Sequence, residues 1–188
     1  MNRRFLLRRT SLTVGILLLI LAGVPRADSA AGEPAARERL VILFTHDLHS
    51  YFLPQRVAVP GGPPAERGGY ARLMTLIKEN RSREGDRTLL LDAGDFSMGT
   101  AFAAASREIG GELRVMSRMG YDATTFGNHE FDLGPDGLAQ AISVASKAGP
   151  IPTVLSTNTD FAASDAALNG LRELSAAGLI RRYRVIER

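Results

Sequence analysis

Apolar residues occur along this chain in two kinds of run. Residues 40–44, Leu-Val-Ile-Leu-Phe, are continuously apolar, the pattern of a strand buried on both faces. Residues 88–91, 122–126 and 153–156 read as a second, third and fourth strand, and 183–187 as a fifth. Between these runs the period changes. Tyr70, Leu73, Met74 and Ile77 recur at three- and four-residue spacing, which predicts an amphipathic helix over 69–80. A second helix is expected over 106–119, stopped by Gly120. A third runs from an Asp136 cap to about Lys147, where Gly149-Pro150 ends it. The Pro/Gly-rich stretch from Pro54 through Pro64 reads as a loop. Residues 159–180 are alanine-rich and fit neither period. Strands alternating with helices predict an α/β domain.

The first 31 residues follow a different rule. Arg3, Arg4, Arg8 and Arg9 precede an apolar or small segment from Leu12 to Val24, and Ala27-Asp28-Ser29-Ala30-Ala31 follows. This is the order of a secretory signal peptide: basic start, apolar centre, small-residue cleavage zone. As a helix the apolar segment spans about 20 Å, short of the roughly 30 Å hydrocarbon core. Cleavage is therefore expected, with no stable membrane anchor afterwards and a periplasmic or extracellular destination. The two arginine pairs also admit a twin-arginine route.

Charge changes meaning in that light. The whole chain carries +3. Residues 1–31 hold five arginines and one acid, so residues 32–188 keep 18 basic against 19 acidic residues, a net of −1. A nucleic-acid polymer is not an expected partner. The remaining cluster, Arg181-Arg182-Tyr183-Arg184, reads as a solvated strand edge. The chain has no cysteine, which excludes disulfides, a thiol nucleophile and cysteine-ligated metal centres.

The polar residues that remain collect at strand ends, where open α/β sheets bind ligands. The first strand ends in Asp47 and His49, the second in Asp95, the third in Asn128, His129 and Asp132. All three histidines of the chain, His46, His49 and His129, lie in these clusters. Asp47 and His49 are two apart, so on an extended segment both face one side and can share a metal. Carboxylate with imidazole suits zinc, manganese, iron or magnesium. Asp95 follows a glycine, and its two oxygens could bridge two metals. Asn128 offers a neutral oxygen. His129 can then face substrate, with Asp132 accepting a hydrogen bond from its ring and favouring the protonated form. Asp92 reads as structural, His46 as a packing or hydrogen-bonding residue, and Glu130 as solvated. Other chemistries lack their motifs. There is no phosphate-binding Gly-rich loop with lysine and no His-Glu-x-x-His, and Asp95-Phe96-Ser97-Met98-Gly99 lacks the first glycine of a nucleophile elbow.

Taken together, Thr45-His46-Asp47-Leu48-His49, Gly94-Asp95 and Gly127-Asn128-His129-Glu130-Phe131-Asp132 resemble the first three motifs of the calcineurin-like metallophosphoesterases. Gly68-Gly69-Tyr70-Ala71-Arg72-Leu73 and Leu155-Ser156-Thr157-Asn158 narrow the resemblance to the secreted 5′-nucleotidase / 2′,3′-cyclic-nucleotide phosphodiesterase group. The resemblance runs from about Leu40 to the last residue. It implies a sandwich of sheets flanked by helices, incomplete here at the C-terminus. It implies two divalent ions (Zn, Mn, Mg or similar), with Asp47 and His49 on the first, Asp95 bridging and Asn128 on the second. It implies that His129, partnered by Asp132, sits over the phosphate of a nucleotide or other phosphate ester while a metal-bound hydroxide attacks phosphorus.

Family members carry two further histidine motifs and a C-terminal nucleotide-binding domain. No histidine follows Asp132 here. Residues 32–188 thus read as the N-terminal part of the catalytic domain. Two other readings stand beside nucleotide hydrolysis: a truncated, inactive metal-binding fragment, and an exported hydrolase of other phosphate or sulfur esters.

Overall fold

The computed structural model describes residues 39–161 and 165–188, so the expected signal peptide lies outside the described residues. In chain order the elements are β1 (Val41–Thr45), β2 (Gln55–Val59), β3 (Gly62–Arg67), α1 (Tyr70–Glu84), β4 (Thr88–Asp92), α2 (Ser106–Ile109) and α3 (Gly111–Met119). Then come β5 (Ala123–Thr125), α4 (Gly134–Ala148), β6 (Thr153–Leu155), α5 (Asn169–Ala176) and β7 (Ile180–Arg181). Five strands form one parallel sheet in the order β1-β4-β5-β6-β7. This is the expected α/β fold, a parallel sheet flanked by helices.

The strand order explains where the core lies. Each strand joins the sheet beside the one before it, always moving in the same direction. Crossovers between parallel strands are right-handed, so every connecting helix lands on the same face. That face holds the core: Leu90, Val154 and Ile180 from the sheet meet Ile77, Leu113, Met116, Leu138, Ile142 and Leu171 from the helices. Ile142 is fully buried. Its replacement by alanine removes most of the side chain from a site with no slack. The expected loss is about 2–5 kcal/mol of unfolding free energy, read by urea denaturation.

Other expectations need correction. The run at 40–44 predicted a strand buried on both faces, but β1 is an edge strand. Ile42 and Phe44 are 54% and 69% exposed and sit beside Leu89 and Leu91 on the face away from the helices. The stretch 54–64 is no loop: β2 and β3 form an antiparallel hairpin. Pro63 and Pro64 are tolerated because the ladder is irregular between Val57 and Val59, where missing N–H groups do no harm. The helix expected over 106–119 is split at Gly110, whose φ of 57° is left-handed. The third helix starts at Gly134 without a side-chain cap, and Asp136 lies in its first turn. The ambiguous 159–180 stretch contains α5 and leads into β7.

The fifth strand is Ile180–Arg181, not 183–187. The residues after it are held by side chains instead. Arg184 Nη1 donates to Thr153 Oγ1 at 2.6 Å, and Arg188 pairs with Asp122 and donates through Nε to the Thr88 carbonyl at 3.2 Å. Three-donor guanidinium contacts take the place of a ladder there.

Candidate metal centre

Three loops leave the carboxyl ends of β1, β4 and β5 and meet. The first two continue to pair beyond their strands. The Asp47 N–H donates to the Gly94 carbonyl, His49 to Asp95 and Ser50 to Phe96, each at 3.0 Å. The backbone is nevertheless not extended. Asp47, His49, Ser50 and Asp95 have φ of 51°, 45°, 52° and 53°. The extended segment expected at Asp47 and His49 is therefore a left-handed turn. Their side chains still meet, with Asp47 Oδ1 3.2 Å from His49 Nε2, because two left-handed residues turn the loop back on itself. Left-handed non-glycine residues carry strain, and such strain gathers at functional sites.

The third loop packs closely against the second. A Cβ on Gly94 would lie 2.5 Å from the Gly127 nitrogen, and one on Gly127 would lie 2.0 Å from Asp95 Oδ1. Only hydrogen fits at either position. The His129 N–H reaches across to Asp95 Oδ1 at 2.9 Å. His129 then opens a short 3₁₀ turn, His129–Phe131. Side chains three apart eclipse on such a turn, so His129 Nδ1 donates to Asp132 Oδ2 at 2.7 Å.

His49, Asp95 and His129 offer ligand atoms that all lie within 4.8 Å of one another. The rings of His49 and His129 are 5.0 Å apart and steeply inclined. Asp47 adjoins His49, Asp132 backs His129, and exposed Asn128 immediately precedes the turn. The structure thus brings five of the six sequence candidates into linked contact, with Asn128 beside them. His49 and Asp95, with Asp47 adjoining, are a carboxylate–imidazole donor set that suits a divalent metal, and His129 faces the same point as a proton donor.

Charge supports the same arrangement. A hydrogen bond from His46 holds the Asp47 carboxyl below its ordinary value, so it is ionised. The hydrogen bond to Asp132 raises His129 and favours its imidazolium. Asp92 is structural, as expected. It is buried and accepts from Thr45 Oγ1, Thr124 Oγ1 and the Gly94 N–H at 2.6, 2.8 and 3.0 Å. Burial pushes its carboxyl up, and burial likewise pushes the neighbouring Tyr121 hydroxyl up to about 12. His46 is exposed and hydrogen-bonds Asp47.

Glu130 corrects the sequence reading. It is not solvated but 4% exposed, and its carboxylate accepts from the N–H groups of Asp95, Ser97 and Gly127 and from Ser97 Oγ. Glu112 lies outside the three motifs. It is 1% exposed and accepts from Ser50 Oγ at 2.7 Å, fixing the end of the first loop. Its signal was available: it lies one turn from Met116 and two from Met119, a lone acid on the apolar stripe of α3.

The chain is similar to several known proteins. The chain is 37% identical over 125 residues to a probable 5′-nucleotidase of Treponema pallidum, covering 65% of this chain and 20% of that protein. It is 36% identical over 126 residues to a snake venom 5′-nucleotidase of Gloydius brevicauda, covering 64% and 20%. The crystal structure of a 5′-nucleotidase precursor from Thermus thermophilus superposes with a TM-score of 0.60 at 31% identity, over 78% of this chain and 26% of that one. The chain thus spans about one fifth of the length of these curated relatives. Residues 40–176, most of the chain and all three loops of the site, match the calcineurin-like phosphoesterase family, and the chain belongs to it.

Proposed function

We propose that this chain carries the metal-binding part of an exported 5′-nucleotidase-type phosphoester hydrolase. The convergence of His49, Asp95 and His129 within 4.8 Å, on three separate strand ends, carries the reading. Asp47, His49 and Asp95 would hold one divalent ion, and Asp95 with Asn128 would contribute to a second. Such ions, when bound, acidify water and neutralise phosphate charge.

The chain's own residues do the rest. Asp132 anchors the Nδ1 proton of His129. That leaves Nε2 as the free ring nitrogen, which in the imidazolium form donates a proton to a phosphate or leaving-group oxygen. The strained loops hold the donors in place before any ligand arrives. Export rests on the signal-peptide pattern of residues 1–31 and fits the venom relative.

The test is phosphate release from AMP, and from p-nitrophenyl phosphate, by the purified chain with Mn²⁺ and then Zn²⁺. Release that needs the metal supports the reading. No release with either ion, together with no ion binding, overturns it. The pH profile adds a check with a definite sign. The imidazolium is the working form, so activity falls as pH rises through the raised His129 value. In Asp132→Asn that value drops, and the alkaline limb moves to lower pH. The rate at neutral pH is expected to fall about tenfold or more.

A further inference from the structure

We infer that Glu130 is a positioning residue that fastens the Asp95 loop to the Asn128–His129 loop and so fixes the spacing of the donors. The inference rests on the metal reading above for its purpose, but not for its geometry. Oε2 accepts from the Asp95 N–H at 2.9 Å and from the Gly127 N–H at 2.7 Å. Oε1 accepts from the Ser97 N–H at 3.0 Å and from Ser97 Oγ at 2.8 Å. Two donors on each oxygen fill the roughly four lone-pair sites of a carboxylate. Glu130 therefore has nothing left to offer an ion, although it adjoins His129 in sequence.

The placement is specific. Two of the donors flank the Asp95 carboxylate on its own loop, at Asp95 and Ser97. The third precedes Asn128 by one residue. One side chain thus sets the distance between the two loops, at the point where Gly94 and Gly127 already touch backbone to backbone. An anion is required, because every partner is a donor. A neutral amide would turn its NH₂ group toward at least one backbone N–H in either orientation and lose that bond.

Three loop amides make the test direct. Asp95, Ser97 and Gly127 have their N–H groups on a side chain and outside any regular strand or helix. In the metal-free wild-type chain, hydrogen exchange by NMR should show all three protected. Exchange at loop rates in the wild type would overturn the proposal without any variant, so a misfolded mutant cannot shelter it. In Glu130→Gln the same three amides should exchange about tenfold faster or more, while those of Leu90 and Ile142 stay as they were. A uniform rise would indicate a merely structural residue and would also overturn the proposal. Mn²⁺ affinity, measured by calorimetry without substrate, should fall about 10–100-fold in the variant. An unchanged affinity counts against positioning. A wild type that binds no Mn²⁺ overturns the metal reading instead, and the exchange data then decide the contact itself.

Discussion

Asp95→Ala is expected to abolish the stabilisation of this chain by divalent metal. A ligand that binds only the folded state adds about 2.7 kcal/mol at a concentration of 100 Kd. For a chain of this size that is a rise of roughly 5–11 °C in Tm. The wild type should show it with Mn²⁺, and Asp95→Ala should show none. Asp95 is singled out because it is central to the cluster. It is the carboxylate that shares a 4.8 Å neighbourhood with both His49 and His129, and it is in contact with both of the other loops. Metal-dependent phosphate release should drop by about 10³-fold or more, in keeping with the loss of several kcal/mol of charge stabilisation. A Tm rise in Asp95→Ala equal to that of the wild type would show that the ion binds elsewhere.

Gly127→Ala is the second large effect, and it adds an atom instead of removing a ligand. The new methyl would lie 2.0 Å from Asp95 Oδ1 and 2.7 Å from the Asp95 nitrogen. Neither neighbour is the end of a flexible chain. The carboxylate is held by the His129 N–H, and the nitrogen is held by Glu130. The second and third loops must therefore separate. Overpacking of this kind costs about 1–3 kcal/mol. The larger consequence falls on the ion, since a displacement near 1 Å is enough to spoil a preorganised site. Mn²⁺ affinity should fall about 100-fold, measured by calorimetry, with circular dichroism of the folded chain unchanged. Wild-type affinity in this variant would mean that the loops are free to part.

Much of the site was legible because its chemistry is concentrated. The chain has few histidines, and all of them sit where predicted strands end. The His129–Asp132 contact followed from spacing alone. The rest is hidden in the sequence for physical reasons. Glu130 looks like one more surface acid, because sequence does not show that three backbone N–H groups point at it. The left-handed loop at Asp47 and His49 contains no glycine of its own. Only the pairing of two loops distant in sequence holds it there. The hairpin at 55–67 is hidden by prolines that its irregular ladder tolerates. The exposure of Ile42 and Phe44 is decided by strand order, which residue type does not encode.

The strand order also governs how the site comes into being. Each strand joins the edge left by its predecessor, so a chain emerging N-terminus first, from a ribosome or an export channel, can extend the sheet one unit at a time. Every candidate donor lies between Asp47 and Asp132. These donors have all emerged once β5 and its loop have. Helix α4, which packs against the turn at His129–Phe131, arrives afterwards. The three loops can therefore pair with one another before the helix that backs the last of them docks.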